Sequence, residues 1–411
     1  MKNWALVLVA VALTALGFVR RAAGIPAPAL YQDALVFGAA VVGAAFLLAW
    51  ASEAARRDFP APLIVALLAV VVVLPESNVT LHLIAQAGRE PSYTAYAAAS
   101  MSGANRILVG LAVPVVFLAF LARSRKGALP LPAAASIDLV FLGSLTLYSF
   151  VIYFKSSIAL LDSAFLVVLF GLYLWLAARA PREQPRREGP LVAMARLGHG
   201  WRRAIVLGLF LLSTLGLVAS AGPFVEALAA TGRATGDDLL LVQWFAPLAA
   251  QAPQIVVVGV LALRGYGGEA LTALIAARLA LGTLLAGALP VALSLSAGAS
   301  HDLVLDSVQR QEFLLTNAQA LFAVFLLASL RLKAWEALVI FVLFTTQLVV
   351  SDSQVRLIYS ALYVAGCLGL IVLSRERMRS IVNLIPMATR VLQQGGGATG
   401  GPASRTAPHG R

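Results

Sequence analysis

Long apolar runs, broken by short polar clusters, dominate the chain from its first residues to about position 373. A helix needs about 20 apolar residues to cross the hydrocarbon of a bilayer, and run after run reaches that length. The pattern predicts about twelve helical spans, near 4–19, 30–51, 60–86, 93–122, 134–154, 157–179, 204–230, 239–264, 268–296, 312–331, 333–351 and 354–373. The spans at 60–86, 93–122 and 268–296 are longer than a straight crossing requires and are expected to be tilted or broken. The first, "MKNWALVLVAVALTALGFVRR", has the basic start and apolar middle of an export signal. No clean small-x-small site follows it, so it reads as an uncleaved first helix.

Composition agrees with an all-α polytopic membrane protein. Hydrophobic residues make up 60% of the 411 positions and charged residues 12%, where soluble domains carry about a quarter charged. A net charge of +12 could mean a nucleic-acid partner, but its placement argues for the lipid bilayer instead. With the N-terminus, the even-numbered loops and the C-terminal tail on one side, that side holds 22 Lys and Arg and the other holds 7. The bias puts both termini in the cytoplasm of a bacterial-type inner or plasma membrane, with Arg20 and Arg21 the main exceptions. The single cysteine, Cys367, excludes a disulfide within the chain and a cysteine-based metal centre. The segment 180–203, rich in Pro and Arg, reads as a cytoplasmic linker that divides the chain in two. The tail, 374–411, ends in a Gly-rich polar stretch expected to be disordered.

One apolar run is interrupted by "LPES", placing Pro75 and Glu76 where lipid should be. An acid at the centre of a spanning helix costs roughly 2.5 to 3.5 kcal/mol even on insertion scales, and such groups face a cavity or a partner. A related pattern recurs past the linker. "LPESNVTLHLIAQAGREPSYTAYAAASMSGANRILVGLAVP" and "APQIVVVGVLALRGYGGEALTALIAARLALGTLLAGALP" each run from a Pro followed by Glu or Gln, through a Gly-containing turn, to a small-residue helix ending at Pro. Pro75 to Pro114 is 39 residues and Pro253 to Pro290 is 37. With residues 1–29 and 353–373 peripheral, the segments 30–179 and 204–352 hold five helices each. An odd number of spans per half gives the halves opposite orientation, the plan of many transporters with broken helices and a site at the bilayer midplane.

These paired motifs resemble the two α-repeats of the cation/calcium exchanger superfamily, which includes sodium/calcium exchangers. "LPES" is similar to the Pro-Glu element of that family, and "SGAN", with Asn105, to its Gly-Ser-Asn element. The resemblance implies a secondary antiporter that exchanges Ca²⁺ or another inorganic cation against Na⁺ or H⁺, with no bound cofactor. The second repeat departs from the pattern: Gln254 stands where the family has its second acid, and "ARLALG", with Arg278, stands where the second Gly-Ser-Asn element would lie.

The residues themselves sort by chemistry. Pro75 frees a backbone carbonyl beside Glu76, and freed carbonyls with a carboxylate suit a hard cation. Thr80, one turn on, adds a hydroxyl; Asn105 and Gln254 add amide oxygens. Glu76, Thr80, Asn105 and Gln254 are therefore the expected cation ligands, with Ser77, Asn78, Ser102, Gln251, Arg106 and Arg278 along the ion pathway. An ion pair of Glu76 with Arg106 or Arg278 is the competing expectation. Ca²⁺ favours six to eight oxygens, commonly from more than one carboxylate, so one acid points also to a monovalent ion or a proton. A third reading is a homologue that no longer transports and serves in interaction or regulation. No nucleophile and base pair, and no metal spacing among His82, His199, His301 and His409, indicates an enzyme.

Overall fold

The computed structural model describes residues 2–24, 30–55, 74, 76–179, 190–235, 238–349 and 353–397. Pro75, most of the expected span 60–86 and the linker residues 180–189 lie outside them, so the expected opening of the helix at Pro75 does too. The chain is helical almost throughout. The helices are α1 (Lys2–Ala23), α2 (Leu30–Ala55), α3 (76–87), α4 (Tyr93–Ser124), α5 (Ala135–Lys155) and α6 (Leu160–Ala177). They continue as α7 (Pro190–Ala195), α8 (His199–Thr235), α9 (Asp238–Leu263), α10 (Gly267–Ala297), α11 (Ser307–Leu327), α12 (Ala334–Val349), α13 (Ser353–Leu373) and α14 (Arg375–Gly397). Among the described residues eight helices are long and apolar enough to cross a membrane, and Ala334–Leu348 is a shorter apolar one.

Of the three long spans expected to be tilted or broken, those at 93–122 and 268–296 run on as continuous helices, α4 and α10. α4 and α10 each widen into one π-helical turn, Leu108–Ala112 and Leu281–Leu285, and then continue. A π turn inserts one residue and widens the helix locally without ending it. α9 likewise runs on as helix through Pro253 from Asp238 to Leu263. It packs on α4 and α8, and that packing holds a helix in which Pro247 and Pro253 each remove one internal bond.

Four short strands tie the helices together. β1 (Ala128–Pro130) follows α4, β2 (Ser157–Ile158) follows α5, β3 (Leu303–Val304) follows α10, and β4 (Arg331–Lys333) follows α11. β1 pairs antiparallel with β4, and β2 with β3. A left-handed residue closes the helix before each strand: Arg125, Ser156, Gly298 and Leu330. It turns the chain sharply enough for a strand to start within a few residues. The pairing fixes direction. α5 runs from the β1–β4 ribbon to the β2–β3 ribbon, and α11 runs from the β2–β3 ribbon back to the β1–β4 ribbon. Both are 21 residues long, about 31 Å of helix, which is the thickness of a bilayer core.

α1, α2 and α8 form a tightly crossed set beside this unit. Lipid offers no hydrophobic drive to bring helices together, so close approach of small residues does the work. A Cβ added to Gly43 of α2 would stand 2.8 Å from the Ala10 carbonyl oxygen and 3.0 Å from the Thr14 nitrogen of α1. Gly17 of α1 meets Ala40 and Ser220 in the same way. Most of the Gly-rich end of the tail, 398–411, lies outside the described residues. Residues 375–397 form α14, tied to the β1–β4 end by Arg377, which is paired with Glu336 and donates to the Ser329 hydroxyl at 2.9 Å.

Gly43→Ala should destabilise the protein by about 1 to 3 kcal/mol, because backbone and not a flexible side chain must yield. Gly208→Ala on α8, which meets nothing within 4 Å, should be neutral or slightly stabilising. Thermal unfolding of the detergent-solubilised variants measures both.

Candidate functional site

Glu76 begins the described part of α3 and is wholly buried. Thr80 lies one helical turn on and therefore on the same face. Its hydroxyl donates to Glu76 Oε1 at 3.0 Å. Ser100 of α4 donates to the same oxygen at 2.8 Å, and the two hydroxyls are 3.3 Å apart. Glu76 Oε2 is buried with no hydrogen-bond partner. The carboxyl is thus oriented through one oxygen and unpartnered at the other. An ionised carboxylate can accept about four hydrogen bonds, so Oε2 has unused capacity for a cation or for the group's own proton. Ser77 is buried beside it, and Asn78 turns its amide back to the Leu74 carbonyl at 2.8 Å.

Asn105 and Ser102, further along α4, face a different space. They line a cavity with Arg278 of α10, Ser149 of α5, and Thr316 and Asn317 of α11. Asn105 donates to the Met101 carbonyl of its own helix at 2.9 Å, which leaves its Oδ1 buried and unpartnered. Asn317 Nδ2 and Arg278 Nε are also buried without partners. The expected ligand set therefore falls in two places: Glu76 with Thr80, and Asn105 with Ser102 and Arg278. On α9, Gln251 is buried with an unpartnered Nε2, and Gln254 is half-buried. Neither lines the cavity.

Arg106, expected as a partner for Glu76, has another acid. It is buried and paired with Glu312 of α11, and its guanidinium lies over the Trp244 ring of α9 at 4.9 Å from the centroid. Arg356 of α13 approaches the other Glu312 oxygen at 3.4 Å. Glu312, which reads in sequence as a span-end polar group, is the counter-ion of two arginines. Arg278 is likewise not paired with Glu76: among the described residues no acid pairs with it. Ser100 was missed in the sequence, although it stands two residues before the "SGAN" element. Among the described residues no group of three or more His, Cys, Asp or Glu side chains could hold a metal ion.

A helical membrane protein with a buried acid, Glu76, held between two helices through one of its oxygens is the class that fold and site define. A crystal structure of the H⁺/Ca²⁺ exchanger CAX superposes with a TM-score of 0.91 at 32% identity, over 96% of this chain and 99% of that one. The chain belongs to the cation/calcium exchanger superfamily. The fold is shared more distantly with the Ca²⁺/H⁺ antiporter protein YfkE (TM-score 0.60, 14% identity, 84% of this chain and 98% of that one). It is also shared with the sodium-calcium exchanger NCX_Mj (TM-score 0.51, 16% identity, 78% and 96%). No protein-family model and no curated relative matches the sequence.

Glu312→Gln should cost about 3 to 5 kcal/mol, the range for breaking a buried pair from one side, because the Arg106 charge stays buried beside α11. A drop in unfolding temperature larger than that of Glu76→Gln is the expected result.

Proposed function

We propose that the protein is a secondary cation antiporter that moves an inorganic cation against H⁺ or Na⁺ by alternating access, with Glu76 as the ion-carrying group. The observation that carries this reading is the half-satisfied carboxyl. Thr80 and Ser100 hold Glu76 Oε1, while Oε2 is buried and free, inside a chain 32% identical to an H⁺/Ca²⁺ exchanger. Burying an acid in this way without an ion to carry would cost stability and return nothing. Asn105, Gln251, Gln254, Ser77, Asn78 and Ser102 belong to the pathway that the ion follows to and from Glu76.

The architecture that supports alternating access is a pair of inverted five-helix repeats, 30–179 and 204–352, within about twelve spans. Residues 1–29 and 353–373 flank the repeats, 180–203 links them, and 374–411 form the tail. Three features favour inversion: the antiparallel run of α5 and α11 between two ribbons, the π turn in both α4 and α10, and the matching left-handed helix ends. The ends also differ in charge. Arg123, Arg125, Lys126, Arg331, Lys333 and Arg377 gather at the β1–β4 end, whereas the β2–β3 end carries Asp162, Asp302 and Asp306 beside Lys155 and Arg310. The basic end is the cytoplasmic one by the positive-inside rule, and both termini lie there.

One observation favours a narrower version, a proton-coupled or monovalent cation exchanger. Gln254 and Arg278 occupy the second-repeat positions where another acid and another amide are expected, leaving Glu76 as the one acid of the set. The full chain in proteoliposomes should take up radiolabelled cation against an imposed H⁺ or Na⁺ gradient. Glu76→Gln should reduce that uptake to the level of empty liposomes. Robust Ca²⁺ transport that survives Glu76→Gln contradicts the proposal.

A further inference from the structure

The buried polar groups outside the Glu76 cluster include one without an evident purpose. Arg278 is 5% exposed, its Nε lacks a hydrogen-bond partner, and among the described residues no acid pairs with it. Other interior arginines are accounted for: Arg106 by Glu312, and Arg377 by Glu336. A guanidinium stays charged at any accessible pH, so Arg278 is a fixed positive charge inside the protein.

Its position is not arbitrary. Asn105 lies three residues before the π turn that starts at Leu108, and Arg278 lies three residues before the π turn that starts at Leu281. The two residues are counterparts in α4 and α10, and both line the one cavity. The fold also keeps room for the guanidinium. A Cβ built on Gly282, one turn on within the π turn, would stand 2.7 Å from Arg278 Nη1 and 2.6 Å from Leu145 Cδ2. Any larger residue there would push the guanidinium out of its place.

We infer that Arg278 is a built-in cation of the transport pathway: it occupies the second-half position opposite Asn105 and repels divalent cations from the cavity, restricting the protein to monovalent cations and protons. This rests on the reading of Glu76 as the carrier and extends it to the choice of ion. The physics is Coulombic. A charge a few ångströms from a guanidinium in a partly desolvated cavity is repelled, and a divalent ion feels twice the repulsion of a monovalent one. Asn105 Oδ1 and the hydroxyls of Ser102, Ser149 and Thr316 would otherwise offer oxygens to a hard cation.

The test measures Ca²⁺ and Na⁺ binding directly on the solubilised full chain by titration calorimetry, so that it does not depend on transport. Arg278→Asn and Arg278→Met, one polar and one apolar, should each tighten Ca²⁺ binding by at least about tenfold, while Na⁺ affinity changes by less. Arg278→Lys should keep Ca²⁺ binding as weak as in the natural protein. Size-exclusion profiles establish that each variant is folded, and either neutral variant alone suffices for the comparison. Unchanged Ca²⁺ affinity in a folded neutral variant overturns the inference, as does equal tightening in Arg278→Lys. Failure of the natural protein to carry any cation in proteoliposomes, with the calorimetric shift still present, would sink the antiporter reading and leave the Arg278 assignment standing.

Discussion

Charge inside a bilayer-spanning protein must be compensated, and the interior of this one is organised around that requirement. Desolvating an ion costs several kcal/mol, which is recovered only through close partners and hydrogen bonds. The structure meets the requirement in three different ways. Arg106 and Arg356 share Glu312, so α4, α11 and α13 are bound by charge as well as by packing. Glu76 is met halfway, through two hydroxyls on one oxygen. Arg278 is met by no acid among the described residues. The first arrangement is structural. Glu76 leaves a demand that a moving cation can satisfy, whereas Arg278 leaves a positive charge that such an ion must avoid.

The rest of the fold sets up those demands at fixed places. α4 brings Ser100 to Glu76, Asn105 to the cavity and Arg106 to Glu312, all within two turns of one helix. Its π turn follows at once. α10 repeats the plan with Arg278 and its own π turn. The two ribbons hold α5 and α11 antiparallel on either side, with Leu129, Leu332, Ile158 and Leu303 fully buried in the pairing.

Much of this could be read in the sequence, and what could not has physical reasons. Apolar run length located eleven helices closely, because bilayer thickness imposes a length on each. α14 was not anticipated: its mixed polar and apolar residues lie on an amphipathic face, which run length does not detect. The ribbons are two or three residues long, too short to leave a period in the sequence. Glu76 stood out because an acid in an apolar run is costly wherever it points. Glu312 did not, because its neighbours Arg310 and Gln311 made it look like the edge of a span. Its partner is 206 positions away, a relation only the tertiary fold reveals. The motif "ARLALG" put Arg278 where a second amide was expected, but did not show that Gly282 lies against its guanidinium.

The central claim is that the free oxygen of Glu76 is the group an ion occupies. Carbodiimide labelling tests it most directly, since these reagents modify buried, protonated carboxyls and the product can be mapped by mass spectrometry. The account predicts that modification maps to Glu76, abolishes exchange, and is slowed by the transported cation in proportion to its occupancy. Labelling of Glu76 that proceeds at the same rate with and without saturating cation would contradict it.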